Sequence, residues 1–168
     1  ILAHPYWLGF EPQWLAPVKD LDALEIFNAA CQFQFGKGYA PQLFDGLLAH
    51  GNRITLVAAD DAHWRNDDSG KGWLQVKAPE RTSEAIVEAV TAGAFYASQG
   101  PEIADFRIED DRAVVKTSPV VAVNFMTWRG TGQVARTDGA ERTEWEVALD
   151  GGERYVRLEC IAADGSMA

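Results

Sequence analysis

With 168 residues and an apolar share of 47%, the chain is long enough to bury a real core, as one domain or as two small ones. A net charge of −10 repels a phosphate backbone, which argues against a nucleic-acid partner. No apolar run approaches the length that crosses a bilayer, so no membrane partner is expected.

In chain order, the first apolar run is Ile1-Leu2-Ala3, which leads into His4-Pro5-Tyr6-Trp7. It begins without Met inside a strand-like segment, and we read it as an interior stretch of a longer domain. Leu24-Glu25-Ile26-Phe27-Asn28 is a short strand. Pro41 to His50 is a helix, because Leu43, Phe44, Leu47 and Leu48 fall at helical spacing and Gly51 supplies a stop. Arg53 to Ala59 is a buried strand that runs into Asp60-Asp61-Ala62-His63. Gly72 to Val76 is another strand. Thr82 or Ser83 caps a helix to about Ala92, with Ile86, Val87 and Val90 as its expected buried stripe and Gly93 at its end. This alternation predicts an α/β arrangement with a parallel sheet and ligands at strand ends.

Past Pro101 the pattern changes to strands of period two. They are Phe106–Ile108, Ala113–Lys116, Val120–Trp128, Gln133–Arg136, Thr143–Leu149 and Tyr155–Ile161, with turns at Glu109-Asp110-Asp111, Gly130-Thr131-Gly132, Asp138-Gly139 and Asp150-Gly151-Gly152. We expect a small antiparallel β-sandwich over 102–168, following an α/β domain over 1–101. Cys31 and Cys160 stand far apart and match no ligand or redox spacing. They read as free thiols of a reducing, cytoplasmic compartment, with one long-range disulfide as the alternative.

The chemistry gathers at two strand ends. His4 closes one, and Asp61-x-His63 closes the other. Imidazole with carboxylate suits Zn or Mn, and a metal-bound water is a nucleophile at neutral pH. His4 and His63 are the expected neutral donors, with Asp61 an anionic ligand that also orients the water. Taken alone, His4 has a plainer reading as a hydrogen-bonded structural histidine at a strand end. Asp60 either supports a ligating imidazole from behind or closes a turn. Asn28 either touches substrate or closes a turn, and Arg65 is either a phosphate clamp or a surface charge. Glu25 is not counted as a ligand. His50 is assigned to its helix end. Trp7, Trp14, Trp64 and Trp73 either wall a pocket or pack. No Gly-x-Ser-x-Gly elbow and no Gly-rich phosphate loop is present.

Ala3-His4-Pro5-Tyr6-Trp7, Leu24-Glu25-Ile26-Phe27-Asn28 and Ala59-Asp60-Asp61-Ala62-His63 stand in the order found in the C-terminal half of PHP-domain metallohydrolases. With Phe95-Tyr96-Ala97-Ser98-Gln99-Gly100-Pro101 and a β-rich tail behind them, the chain most resembles the CehA/McbA branch. Gln99 stands where that branch usually has Thr. The resemblance implies the C-terminal part of a distorted (β/α)7-type barrel, with two or three divalent metals (Zn, Mn or Fe) hydrolysing a small-molecule phosphoester, or an ester or amide in some members. It matches His4 to the family's His-Pro histidine and Asp61 and His63 to its late Asp-x-His pair. The family's opening His-x-His and bridging Glu precede this portion, and this chain holds three His in all. A barrel cut at Ile1-Leu2-Ala3 would expose a sheet edge, so the α/β part is expected either to pack against a second copy of the chain or to depend on an upstream segment. The competing function is a non-catalytic binding or assembly module built on the β-sandwich.

Overall fold

Three apolar segments lie side by side and parallel near the start of the chain. The strand β1 (Ala23–Asn28) pairs with β2 (Thr55–Ala59), Leu24 opposite Leu56, and Leu2 bridges Leu24 in the same sense. A strand covered on two faces reads as continuous apolar sequence, and every residue of β1 except Ile26 is buried. The computed structural model describes residues 1–18, 20–64, 67–128 and 131–168. The chain divides into two compact units, Ile1–Ser98 and Gln99–Ala168.

In the first unit, the short helices α1 (Pro5–Leu8) and α2 (Pro12–Leu15) follow the Leu2 segment, each with Pro in its first turn, where a missing N–H costs nothing. Helix α3 (Ala29–Phe35) leaves β1 directly. Helix α4 (Pro41–Ala49) turns Leu43, Phe44 and Leu47 inward at i, i+1 and i+4. These three form one core with Leu15, Leu24 and Ala40, and Phe27, Ala29 and Ala58 form a second.

Two expectations need correction here. The strands β3 (Trp73–Val76) and β4 (Phe95–Ser98) are antiparallel, not members of a parallel sheet. The Lys77 amide donates to the Ala94 carbonyl at 2.9 Å, so the excursion through α5 (Ser83–Thr91) leaves and re-enters at the same end of the pair. A crossover that returns to its starting end can only make antiparallel strands. On α5 the buried residues are Ala85 and Ala89, while Ile86 and Val87 are exposed. The small residues at i and i+4 carry the contact face, and the bulkier pair one and two positions on faces outward. The described residues form no closed barrel, because their sheets are separate two- and three-stranded pieces.

The second unit has two three-stranded antiparallel sheets. One has the order β5-β6-β9, from Ile103–Glu109, Arg112–Val120 and Arg142–Ala148. The other has the order β10-β7-β8, from Val156–Ile161, Ala122–Thr127 and Gln133–Arg136. Val115, Val120, Trp145 and Val147 of the first sheet share a core with Val123, Phe125 and Cys160 of the second. The expected single strand Val120–Trp128 is broken at Val121, whose amide donates to Ile161 and whose carbonyl accepts from Thr137. Pro119 lies where the β6–β9 register slips between Lys116 and Val120, the kind of irregularity that admits proline to a central strand. Both thiols are free and buried. Burial pushes the Cys160 thiol up to about 12. Among the described residues no helix is long and apolar enough to cross a membrane.

Candidate metal centre at the strand ends

His4, Asn28 and Asp61 follow three adjacent parallel segments, all at their C-terminal ends. The turn at each outer end is sharp. His4 has φ 33° and Asp61 φ 50°, both in the left-handed region that costs a side-chain-bearing residue about 1 kcal/mol or more. Such conformations persist only where neighbouring groups hold them, and here the holding groups are visible.

The His4 amide donates to Glu25 Oε2, from the middle of β1. The same oxygen accepts from Asn28 Nδ2 at 3.1 Å, and Asn28 Nδ2 also donates to Asp61 Oδ2 at 3.2 Å. The remaining amide atom, Asn28 Oδ1, accepts from the Cys31 N–H at 2.8 Å and so caps α3. Asn28 is 1% exposed and Glu25 6%. A primary amide has two donor hydrogens and one carbonyl, and all are engaged. Asn28 is therefore a fixed link between two carboxylates, a buried position with no free donor for substrate. Desolvation, and then the charges of Asp61 and Glu25, push the Cys31 thiol up.

His4 contributes a buried Nδ1 with no partner. Its ring stands edge-on to Trp7, 5.3 Å between centroids, and Trp7 in turn meets Phe35. His63 sits differently. Its Nδ1 lies 2.6 Å from the Asp61 carbonyl oxygen and 4.0 Å from Asp61 Oδ1, and its side chain is 56% exposed. A carbonyl only accepts, so Nδ1 carries the hydrogen and the neutral ring keeps a lone pair on Nε2. That is the tautomer a metal-ligating histidine needs, with its other nitrogen tied to a backbone carbonyl. The His63 amide donates to Asp68 Oδ2 at 3.2 Å, and Asp68 is 1% exposed with Oδ1 unpartnered.

Asp60 has a different place. Its carboxylate accepts from the amides of Gly70, Lys71 and Gly72, the last two at 2.7 and 2.9 Å, and clamps the loop that returns to β3. Burial pushes the Asp60 carboxyl up, but the amides of Lys71, Gly70 and Gly72 outweigh it and hold it below the ordinary range. Both oxygens serve backbone, which is the turn-closing alternative rather than support of an imidazole. Arg65 lies outside the described residues. Trp14 and Trp64 are exposed at 59% and 82%, while Trp73 lies in β3 and is half-buried.

The geometry links His4 to Asp61 through Glu25 and Asn28, and His63 to Asp61 through its own loop. Among the described residues no group of three His, Cys, Asp or Glu side chains stands close enough to hold a metal ion as placed. What suits a cation is the donor chemistry: an unpartnered buried imidazole nitrogen, a carboxylate at the strand end and a second imidazole in the ligating tautomer. Glu25, which the sequence reading did not count as a ligand, joins the arrangement through its bonds to His4 and Asn28. Its signal was a carboxylate inside an otherwise apolar, doubly covered strand. Comparisons with protein-family models, with curated proteins and with solved structures found no match for this chain.

Proposed function

We propose that the first unit contributes His4, Asp61 and His63 to a divalent-metal site of a hydrolase of PHP type, with a small-molecule phosphoester as substrate. On this reading the fold belongs with the C-terminal part of a distorted (β/α)7-type barrel, followed by a small β-sandwich. The observation that carries the reading is that His4 and Asp61 lie at the same end of three parallel segments, on either side of β1, with an imidazole nitrogen left unpartnered in a buried setting. Burying a polar atom without a partner is unfavourable, and a cation is the partner a neutral imidazole suits.

His4 and His63 would hold the metal through ring nitrogens, and Asp61 through its carboxylate. The metal, Zn or Mn by donor type and Zn, Mn or Fe by the resemblance, would supply Lewis acidity and an activated water. This chain's own residues do the rest. Asp61 accepts from Asn28 on one oxygen and keeps the other for ligation or for orienting water. The Asp61 carbonyl fixes the His63 tautomer, and Trp7 limits the rotation of the His4 ring. Arg65 remains the candidate for the phosphate oxygens.

Metal analysis of purified protein, with hydrolysis of p-nitrophenyl phosphate and its diester in Mn2+ or Zn2+, tests the proposal. The expected result is near-stoichiometric Zn, Mn or Fe, lost in His4→Ala and Asp61→Asn, with any turnover lost alongside. Metal-free protein that takes up none on incubation would overturn it.

A further inference from the structure

The bonds around Asn28 do more than close a turn. Asn28 sits where a helix start, a strand carboxylate and the Asp61 carboxylate meet, and each of its three polar valences goes to a different one. Glu25 gives a single oxygen, Oε2, to both the His4 amide and Asn28 Nδ2. Two carboxylates near one another repel, and a donor amide bridging them offsets that repulsion without adding charge. The left-handed conformations of His4 and Asp61 are thus tied to one buried pair from β1.

We infer that Glu25 and Asn28 are the positioning residues of the site: they fix the His4 backbone and the Asp61 carboxylate before any cation arrives. The inference rests on the metal-site reading above and adds to it the residues that set its geometry. Because one oxygen accepts both bonds, an amide oxygen serves as well as a carboxylate. Glu25→Gln therefore keeps the arrangement, and Glu25→Ala removes it. Asn28→Ser keeps an oxygen to cap α3 but lacks the amide hydrogens that bridge Glu25 and Asp61, which separates the bridge from the cap.

NMR of the metal-free 168-residue protein, followed by Mn2+ titration of the same samples, tests this. In the metal-free protein two distinct, slowly exchanging Asn28 side-chain hydrogens and a downfield His4 amide are expected. Both persist in Glu25→Gln, while Glu25→Ala loses the His4 shift. On titration, Asn28→Ser and Glu25→Ala should need about ten to a hundred times more Mn2+ than the parent protein, the usual effect of removing groups that orient metal ligands, and Glu25→Gln should not. Loss of Mn2+ binding in Glu25→Gln equal to that in Glu25→Ala would make Glu25 a ligand through its charge and overturn the assignment. So would rapidly exchanging Asn28 hydrogens in the parent protein. If Glu25→Ala does not fold, Glu25→Gln and Asn28→Ser decide alone: opposite behaviour supports the inference, and equal behaviour overturns it. A parent protein with the locked amide that takes up no Mn2+ upholds the positioning geometry and sinks the metal reading.

Discussion

Gly38 shows how closely the backbone is fitted around Asn28. A Cβ there would lie 2.4 Å from the Asn28 carbonyl oxygen and 2.4 Å from Gln32 Cβ, and the Asn28 amide donates to the Gly38 carbonyl at 3.0 Å. Backbone cannot yield as a flexible side chain does. Gly38→Ala should therefore lower stability by about 1–3 kcal/mol, the range for overpacking, and shift the Asn28 side-chain resonances, both measurable in one urea titration followed by NMR. Asp60 gives a prediction in pH. Its folded pKa is depressed, so its clamp contributes stability above the ordinary aspartate value, and that contribution is lost as pH falls through the folded one. Hydrogen exchange at Gly70, Lys71 and Gly72 should quicken beyond the intrinsic pH trend below about pH 4, and Asp60→Asn should show the faster exchange already at neutral pH. Protection unchanged down to pH 2 would rule the clamp out. At this scale the strand ends were legible where an apolar run stops, as before His4 and Asp61. Glu25 was not legible, because in a strand covered on two faces the alternation that separates inside from outside is missing. Asn28 was found, but its role was hidden with the helix it caps, since Ala29–Phe35 carries Gln and aromatics at no clean period.

At the scale of elements, the strands of the second unit were legible from their period of two, and the corner between its sheets was not. The break at Val121 depends on bonds to Ile161 and Thr137, far off in sequence. The stripe of α5 misled for a related reason: bulk suggested Ile86, Val87 and Val90, of which Val90 is half-buried, while packing chose Ala85 and Ala89. Sheet β10-β7-β8 also holds an ion pair on the face opposite Phe125 and Cys160. Arg157 donates to Glu159 at 2.7 Å with its side chain 7% exposed, and Asn124 donates to the other Glu159 oxygen at 3.0 Å. Burial raises the Glu159 carboxyl, but Arg157 and Asn124 outweigh it and leave it lowered. Removing Glu159 takes a charge-assisted hydrogen bond from a buried guanidinium, so Glu159→Ala should cost about 1.5–3 kcal/mol by denaturant unfolding. A cost under about 0.5 kcal/mol, the level of a surface change, would place the pair in solvent.

For the whole molecule, each unit has its own core and its own strand pairings. Residues 99–168 expressed alone should give a cooperative thermal transition and a dispersed NMR spectrum; a molten, ANS-binding species would show that their core is incomplete. The claim that matters most for function is that His4, Asp61 and His63 serve one cation at the ends of parallel strands. Crystals grown with Mn2+ and measured for anomalous scattering test it most directly. The account predicts a peak with a His4 ring nitrogen, His63 Nε2 and an Asp61 carboxylate oxygen about 2.0–2.2 Å away. A peak held by other residues, or none at saturating Mn2+, would contradict it.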